Sequence, residues 1–147
     1  MDHLPSWLLT QTAAQAHRLV SEGFAKVGAR GYHYRLLSSL IEDGPASQAA
    51  LGRRTGIHLS DMVAALNELE AGGFVSRALD PADRRRNVIT VTTSGRQRAA
   101  QLEHSAQEVQ EVLLQPLDEA ERGQLSALLS KLLDHHRQGI PPLPGDE

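Results

Sequence analysis

A mainly α chain carrying one short β-hairpin is the fold class this sequence predicts, and three observations predict it. Apolar residues recur at helical spacing along most of the 147 residues. Strand-like alternation is confined to the stretch RALDPADRRRNVITVTTSG, Arg77 to Gly95, where one run ends at Leu79 and another starts at Val88. Breaker residues (Gly44-Pro45, Gly72-Gly73, Pro116) fall between the periodic segments.

Each element follows in order. From Ser6 to Val27, Leu8, Leu9, Thr12, Ala13, Ala16, Leu19, Val20, Phe24 and Val27 form a stripe of helical period. The break VGARG separates it from Tyr32 to Glu42, where His33, Leu36, Leu37, Leu40 and Ile41 share a face until Gly44-Pro45. Ser47 is a good N-cap for a short helix, Ser47 to Arg54, ending near Gly56. His58 to Gly72 places Leu59, Met62, Val63, Leu66 and Leu69 on one stripe and turns His58, Ser60, Asp61, Ala64, Ala65 and Glu68 elsewhere. After the hairpin, Ser94-x-x-Gln97 reads as a capping box opening a helix with Ala99, Leu102, Ala106, Val109 and Leu113 along one side. Asp118-x-x-Glu121 is a second capping box, before a helix with Leu125, Leu128, Leu129, Leu132 and Leu133 on one side. The tail GIPPLPGDE is too rich in proline to continue it and is expected to be flexible.

A short helix, a tight turn, a second amphipathic helix and a basic hairpin make the order of a winged helix-turn-helix. In that arrangement the second helix enters a major groove and the hairpin tip, the wing, reaches the adjacent backbone or minor groove. The tip reads as Asp80 to Asn87, with Arg84, Arg85 and Arg86 side by side. Like charges so placed repel one another, and an anionic partner accounts for them better than a solvated loop does.

From Gly44 to Gly95 the sequence resembles the multiple-antibiotic-resistance regulator (MarR) family of winged-helix repressors. The matching residues are Leu69-Glu70, Gly73-Phe74-Val75 and Arg77 leaving the recognition helix, Asp80-Pro81, Asp83-Arg84-Arg85 in the wing, then Val91-Thr92 and Gly95. Val91 stands where the family pattern usually has leucine. The resemblance extends more loosely over nearly the whole chain. It implies a dimeric regulator that binds double-stranded DNA and often answers to a small ligand. Domains are accordingly expected at 1–30 (N-terminal dimerisation helix), 31–95 (winged core, wing 74–92), 96–138 (C-terminal dimerisation helices) and 139–147 (tail).

Composition narrows the alternatives. The chain is long enough for one compact protomer, and it has no apolar run of membrane-spanning length and no signal-peptide pattern, so a cytoplasmic location without membrane contact is expected. It contains no cysteine, which excludes disulfides and the thiol-based sensing used by some members of the family. A formal net charge of −3 argues mildly against nucleic acid, but Arg84, Arg85, Arg86, Arg96 and Arg98 outweigh Asp80 and Asp83 over the stretch 80–98. The seven histidines lack metal-ligand spacing, and His135-His136 point apart on a helix, so no metal and no cofactor are expected. No nucleophile elbow, phosphate-cradling loop or zinc-protease motif marks an enzyme. The terminal helices carry long apolar stripes with little to bury against in a small core, so a homodimer is favoured over a monomer folded back on itself.

The resemblance makes Arg85 the side chain inserted in the minor groove, where a flat, permanently charged head suits the negative potential. Asp83 is then expected to orient Arg85 by an ion pair, and Arg84, Arg86 and Asn87 to make backbone or further groove contacts. Arg77 either anchors a phosphate or pairs with Asp80. Ser47 and Gln48 can donate to phosphate at the start of their helix. The recognition helix departs from the family pattern: between Ile57 and Ala71 it has Asp61, Glu68 and Glu70 but no lysine or arginine. Base reading there falls to His58, Ser60 or Asp61, the last either accepting from a cytosine amino group or merely complementing the helix dipole. The alternative is a winged helix that binds protein through this acidic helix. For a small-molecule effector, the family's pocket between dimerising helices and core makes His17, Arg18, Tyr32, His33 and Tyr34 the candidates.

Overall fold

The computed structural model describes residues 1–139 and Leu143, so the expected flexible tail, 139–147, lies outside the described residues except for Gly139 and Leu143. The chain divides into two compact units, Met1–Leu113 and Leu114–Glu147. In the first, the elements run α1 (Pro5–Ala25), α2 (Gly31–Asp43), β1 (Ala46–Ser47), α3 (Gln48–Thr55), α4 (Leu59–Ala71), β2 (Val75–Leu79), β3 (Asn87–Val91) and α5 (Thr93–Leu113). The expected class, mainly α with a small winged sheet, is the observed one.

Leu36, Leu37 and Leu40 of α2, Leu51 of α3, Met62, Leu66 and Leu69 of α4, Ile89 of β3 and Leu102 of α5 form the centre of the core. Each is at most 2% exposed. Helix α1 packs along α5 and adds Phe24 to this core, while Leu4, Trp7, Leu8 and Leu9 near its start stay exposed.

The sheet is antiparallel with order β1-β3-β2. Strand β1 was not foreseen: it pairs Ala46 with Ile89 and Ser47 with Val88, too short a run for alternation to show. It fixes the start of α3 beside the foot of the hairpin. Ser47 then caps α3 as expected, accepting from the Ala50 N–H at 3.2 Å. Gly56, with φ of +68°, closes α3 in the left-handed conformation that lets the chain turn at once into α4.

Two local expectations are corrected. The buried face of α4 is Met62, Ala65, Leu66 and Leu69, whereas Leu59 and Val63 are 65% and 40% exposed. Apolar periodicity ranks side chains by hydrophobicity, but Ala65 is the residue small enough to let α4 close on its neighbours, and the packed arc turns toward it. Second, α5 is capped by Thr92 and not by a Ser94-x-x-Gln97 box. Thr92 Oγ1 accepts from the Gly95 N–H at 3.0 Å and donates to the Gly73 carbonyl at 2.6 Å. Gly95 is held to glycine by space: a Cβ there would lie 2.0 Å from the Phe74 carbonyl oxygen. Helix α5 can therefore begin directly against the hairpin's foot.

In the second unit, Asp118 and Glu121 form the expected capping box at the start of α6 (Glu119–Arg137). Arg122 Nε donates to the Leu117 carbonyl at 3.1 Å and fixes the turn before it. No residue of α6 is buried, and Leu128, Leu129, Leu132 and Leu133 are all exposed. No described helix is long and apolar enough to cross a membrane.

Candidate nucleic-acid interface

Asn87 belongs to β3, opposite Leu79, so the wing tip is residues 80–86, one residue shorter than the sequence reading. Its two aspartates organise it. The Asp80 N–H donates to the Arg86 carbonyl at 2.9 Å and the Arg86 N–H to the Asp83 carbonyl at 3.0 Å, closing the loop on itself. Asp80 Oδ1 also accepts from the Ala82 N–H at 2.9 Å, and Asp83 Oδ1 from the Arg85 N–H at 3.1 Å, the side-chain-to-backbone bonds that favour aspartate in turns.

The same carboxylates hold the guanidinium groups. Arg85 Nε donates to Asp83 Oδ1 at 3.1 Å, as expected of that pair, while the Arg85 side chain remains 91% exposed. Arg86 pairs with Asp80 at 3.3 Å. Hydrogen bonds from the Arg85 side chain and then its backbone hold the Asp83 carboxyl below its ordinary range, so it stays ionised and keeps its grip. Arg84 is exposed and has no carboxylate partner among the described residues.

Ser47, Gln48, Ala49, Arg53, Arg77, Arg85, Arg86, Asn87 and Ile89 line one open groove of about 360 Å³ between the start of α3 and the wing. It gathers six of the proposed contact residues. Arg53 escaped the sequence reading, although the Arg53-Arg54 pair ending α3 was a visible sign; Arg54 turns away to donate to the Gly44 carbonyl at 3.1 Å. The local charge count misled in the other direction. Arg98 lies over the Phe74 ring at 5.5 Å and donates to the Val27 carbonyl, so it secures packing instead of facing the groove.

Arg77 settles differently from either sequence alternative alone. It leaves Asp80 to Arg86, lines the groove, and bonds α4: Nη2 donates to Asn67 Oδ1 at 2.9 Å, and Nε lies 3.6 Å from Glu70. That Nε is buried and makes no hydrogen bond.

The other carboxylates of α4 are also engaged from behind. Glu68 is paired by Arg30 and by His33 Nε2, the latter at 2.7 Å. Asp61 is half-buried and receives the Tyr32 hydroxyl at 3.4 Å. His58 is the N-cap of α4 and Ser60 lies 3.1 Å from its Nδ1, so these two proposed base contacts are bonded to each other.

His33 Nδ1 accepts from the Arg30 N–H at 3.2 Å, which places the ring proton on Nε2, facing Glu68. Burial lowers its pKa, outweighing the bond to Glu68 that raises it. The ring therefore ties α2 to α4 in its neutral form.

The proposed effector residues are not brought together. His17 and Arg18 are exposed on α1, and Arg18 pairs with Glu22 at 3.1 Å. Tyr32 and His33 serve α4, and Tyr34 stacks on Phe24 at 5.9 Å. Tyr34 lines a cavity of about 260 Å³ between α2 and α5 with Ser38, Arg96 and Glu103.

Residues 28–86, covering the helix-turn-helix and the wing, match the model of the MarR family. The chain belongs to the MarR family. A Thauera aromatica protein named for transcriptional regulation of the hcr operon is 32% identical over 99 residues, 67% of this chain and 60% of that protein. The HTH-type transcriptional repressor NicR of Pseudomonas putida is 30% identical over 98 residues, 67% of this chain and 62% of NicR. This MarR-family chain thus aligns with about three-fifths of those relatives' length. The fold extends further: Bordetella bronchiseptica BpsR, whose structure concerns regulation of its DNA binding by 6-hydroxynicotinic acid, superposes with a TM-score of 0.80 at 22% identity. That match covers 91% of this chain and 96% of BpsR.

Proposed function

We propose that the chain is a transcriptional regulator, acting as a repressor, that binds a palindromic operator in double-stranded DNA as a homodimer and is released by a small ligand. The observation that carries this is the groove in which Arg53, Arg77, Arg85 and Arg86 converge beside the N-terminus of α3. Guanidinium groups and helix-terminal donors set around one concavity suit a phosphate backbone, and the exposed Arg84 and Arg85 extend from it toward a minor groove. The pairing of Glu68 with Arg30 and of Glu70 with Arg77 weighs against the protein-binding alternative, because each exposed acid of α4 already has a cation beside it. Support for the homodimer comes from the exposed apolar residues at the start of α1 and along α6, each of which needs a cover. NicR's name as a repressor and BpsR's response to 6-hydroxynicotinic acid support the repressor and ligand parts.

A salt titration of binding to mixed-sequence duplex tests the reading. Affinity should fall steeply with salt, since each phosphate neutralised releases counterions. Selected sites should contain two half-sites centred about 10 base pairs apart. No binding even at low salt would reject DNA as the partner.

A further inference from the structure

We propose that Leu59 and Val63 read thymine methyl groups in the major groove and are the specificity-determining pair of α4; this rests on the DNA-binding reading above. The two lie one turn apart at the N-terminal end of α4, the end through which a recognition helix meets base edges. They are 65% and 40% exposed, while Met62, Leu66 and Leu69 of the same helix are at most 2% exposed. Packing within the unit therefore does not account for a leucine and a valine at these positions.

Their neighbours narrow what they can meet. Ser60, Ala64 and Asn67 on the adjoining exposed arc are uncharged. Asp61, Glu68 and Glu70 are held by Tyr32, by Arg30 with His33, and by Arg77. Around Leu59 and Val63 the first two turns thus offer guanine no lysine or arginine, and their one acid, Asp61, is half-buried against Tyr32. Among major-groove edges, the thymine 5-methyl is the group an apolar side chain distinguishes. Charge favours a duplex over an apolar protein segment as the occupant. Arg77 joins the arc, through Asn67, to the groove it shares with Arg53, Arg85 and Arg86, so a polyanion is drawn to the same side.

The test uses the full chain and a duplex it selects from a random pool, with each thymine replaced singly by deoxyuridine, which removes only the methyl. One or two positions should lose about fourfold in affinity, the value of burying one such group. The remaining positions should be unaffected. Leu59→Ala or Val63→Ala should erase the penalty at its own position, and exposed residues of this kind can be shortened without unfolding the chain. Uracil tolerated everywhere on a bound duplex overturns the proposal and leaves DNA binding standing. A penalty undiminished in both variants also overturns it. Failure to bind any duplex at low salt removes the DNA-binding reading and this inference with it.

Discussion

The wing tip and α4 both carry carboxylates on elements read here as facing DNA, yet they place them differently. In the tip, Asp80 and Asp83 stay among the arginines, cap turn N–H groups and grip Arg86 and Arg85 by their sides. The acids there shape a surface that remains cationic. On α4 the acids are drawn toward α2 and β2 by Tyr32, Arg30, His33 and Arg77. What remains outward in the N-terminal half of the helix is uncharged: Leu59, Ser60, Val63 and Ala64, while Glu68 and Glu70 stay exposed further along beside their cations. An acidic sequence count over a helix is thus compatible with a neutral face over its first two turns, and the proposed DNA-binding reading divides the work accordingly, affinity in the wing and groove, discrimination on the helix.

The sharpest way to break this comparison is to remove the wing's most exposed gripped charge. Arg85→Ala should weaken DNA binding by about 2 kcal/mol, roughly 30-fold in Kd, at every sequence alike. Arg84→Ala and Arg86→Ala should cost less and chiefly flatten the salt dependence. Fluorescence anisotropy at two salt concentrations separates these effects. An Arg85 variant that binds like the parent would take affinity away from the wing.

Much of this architecture was legible in the sequence because its signals are local. Ser47, Asp118 with Glu121, and the arginine-rich tip act through neighbours a few residues away. The parts that escaped depend on distant partners. Glu68 reads as one more acid on an acidic helix until the fold brings Arg30 and His33 to it across more than thirty residues. Thr92 and Ser94 are both fair cap residues, and the Gly73 carbonyl, reached by the Thr92 hydroxyl, goes with Thr92. The exposure of Leu59 and Val63 was hidden for a related reason: periodicity located a stripe, but the small Ala65 decided its angle.

A smaller effect sharpens the account of how α4 is tied down. His33 has its pKa lowered from the ordinary 6.5, chiefly by burial. Below that ordinary value the unfolded chain takes up a proton that the folded chain refuses. This part of the stability is therefore present above the ordinary value and lost as pH falls toward the depressed one. Protonation would also put a hydrogen on Nδ1 where it accepts from the Arg30 N–H. Urea unfolding about one unit below and above the ordinary histidine value should show this loss, and His33→Gln, less stable overall, should show a flatter profile. Identical pH dependence in parent and variant would mean that His33 is not the group that titrates.

The smallest expected effect lies at Asp61. Its carboxylate sits in the first turn of α4, where the helix dipole favours negative charge, and it receives the Tyr32 hydroxyl at 3.4 Å. Both relations hold it for structure and neither needs DNA. Asp61→Asn keeps an oxygen for Tyr32 and removes only the charge, so it should cost about 0.5 kcal/mol of stability. Base preference should be unchanged, and any tightening of binding should come only from weaker repulsion of phosphate, an effect that salt would erase. Selection of duplexes with parent and variant in parallel provides the measurement. If the variant relaxes the choice at one base pair per half-site, Asp61 accepts from a cytosine after all. The helix would then read bases with a charge, and the neutral face described above would be only part of its reading surface.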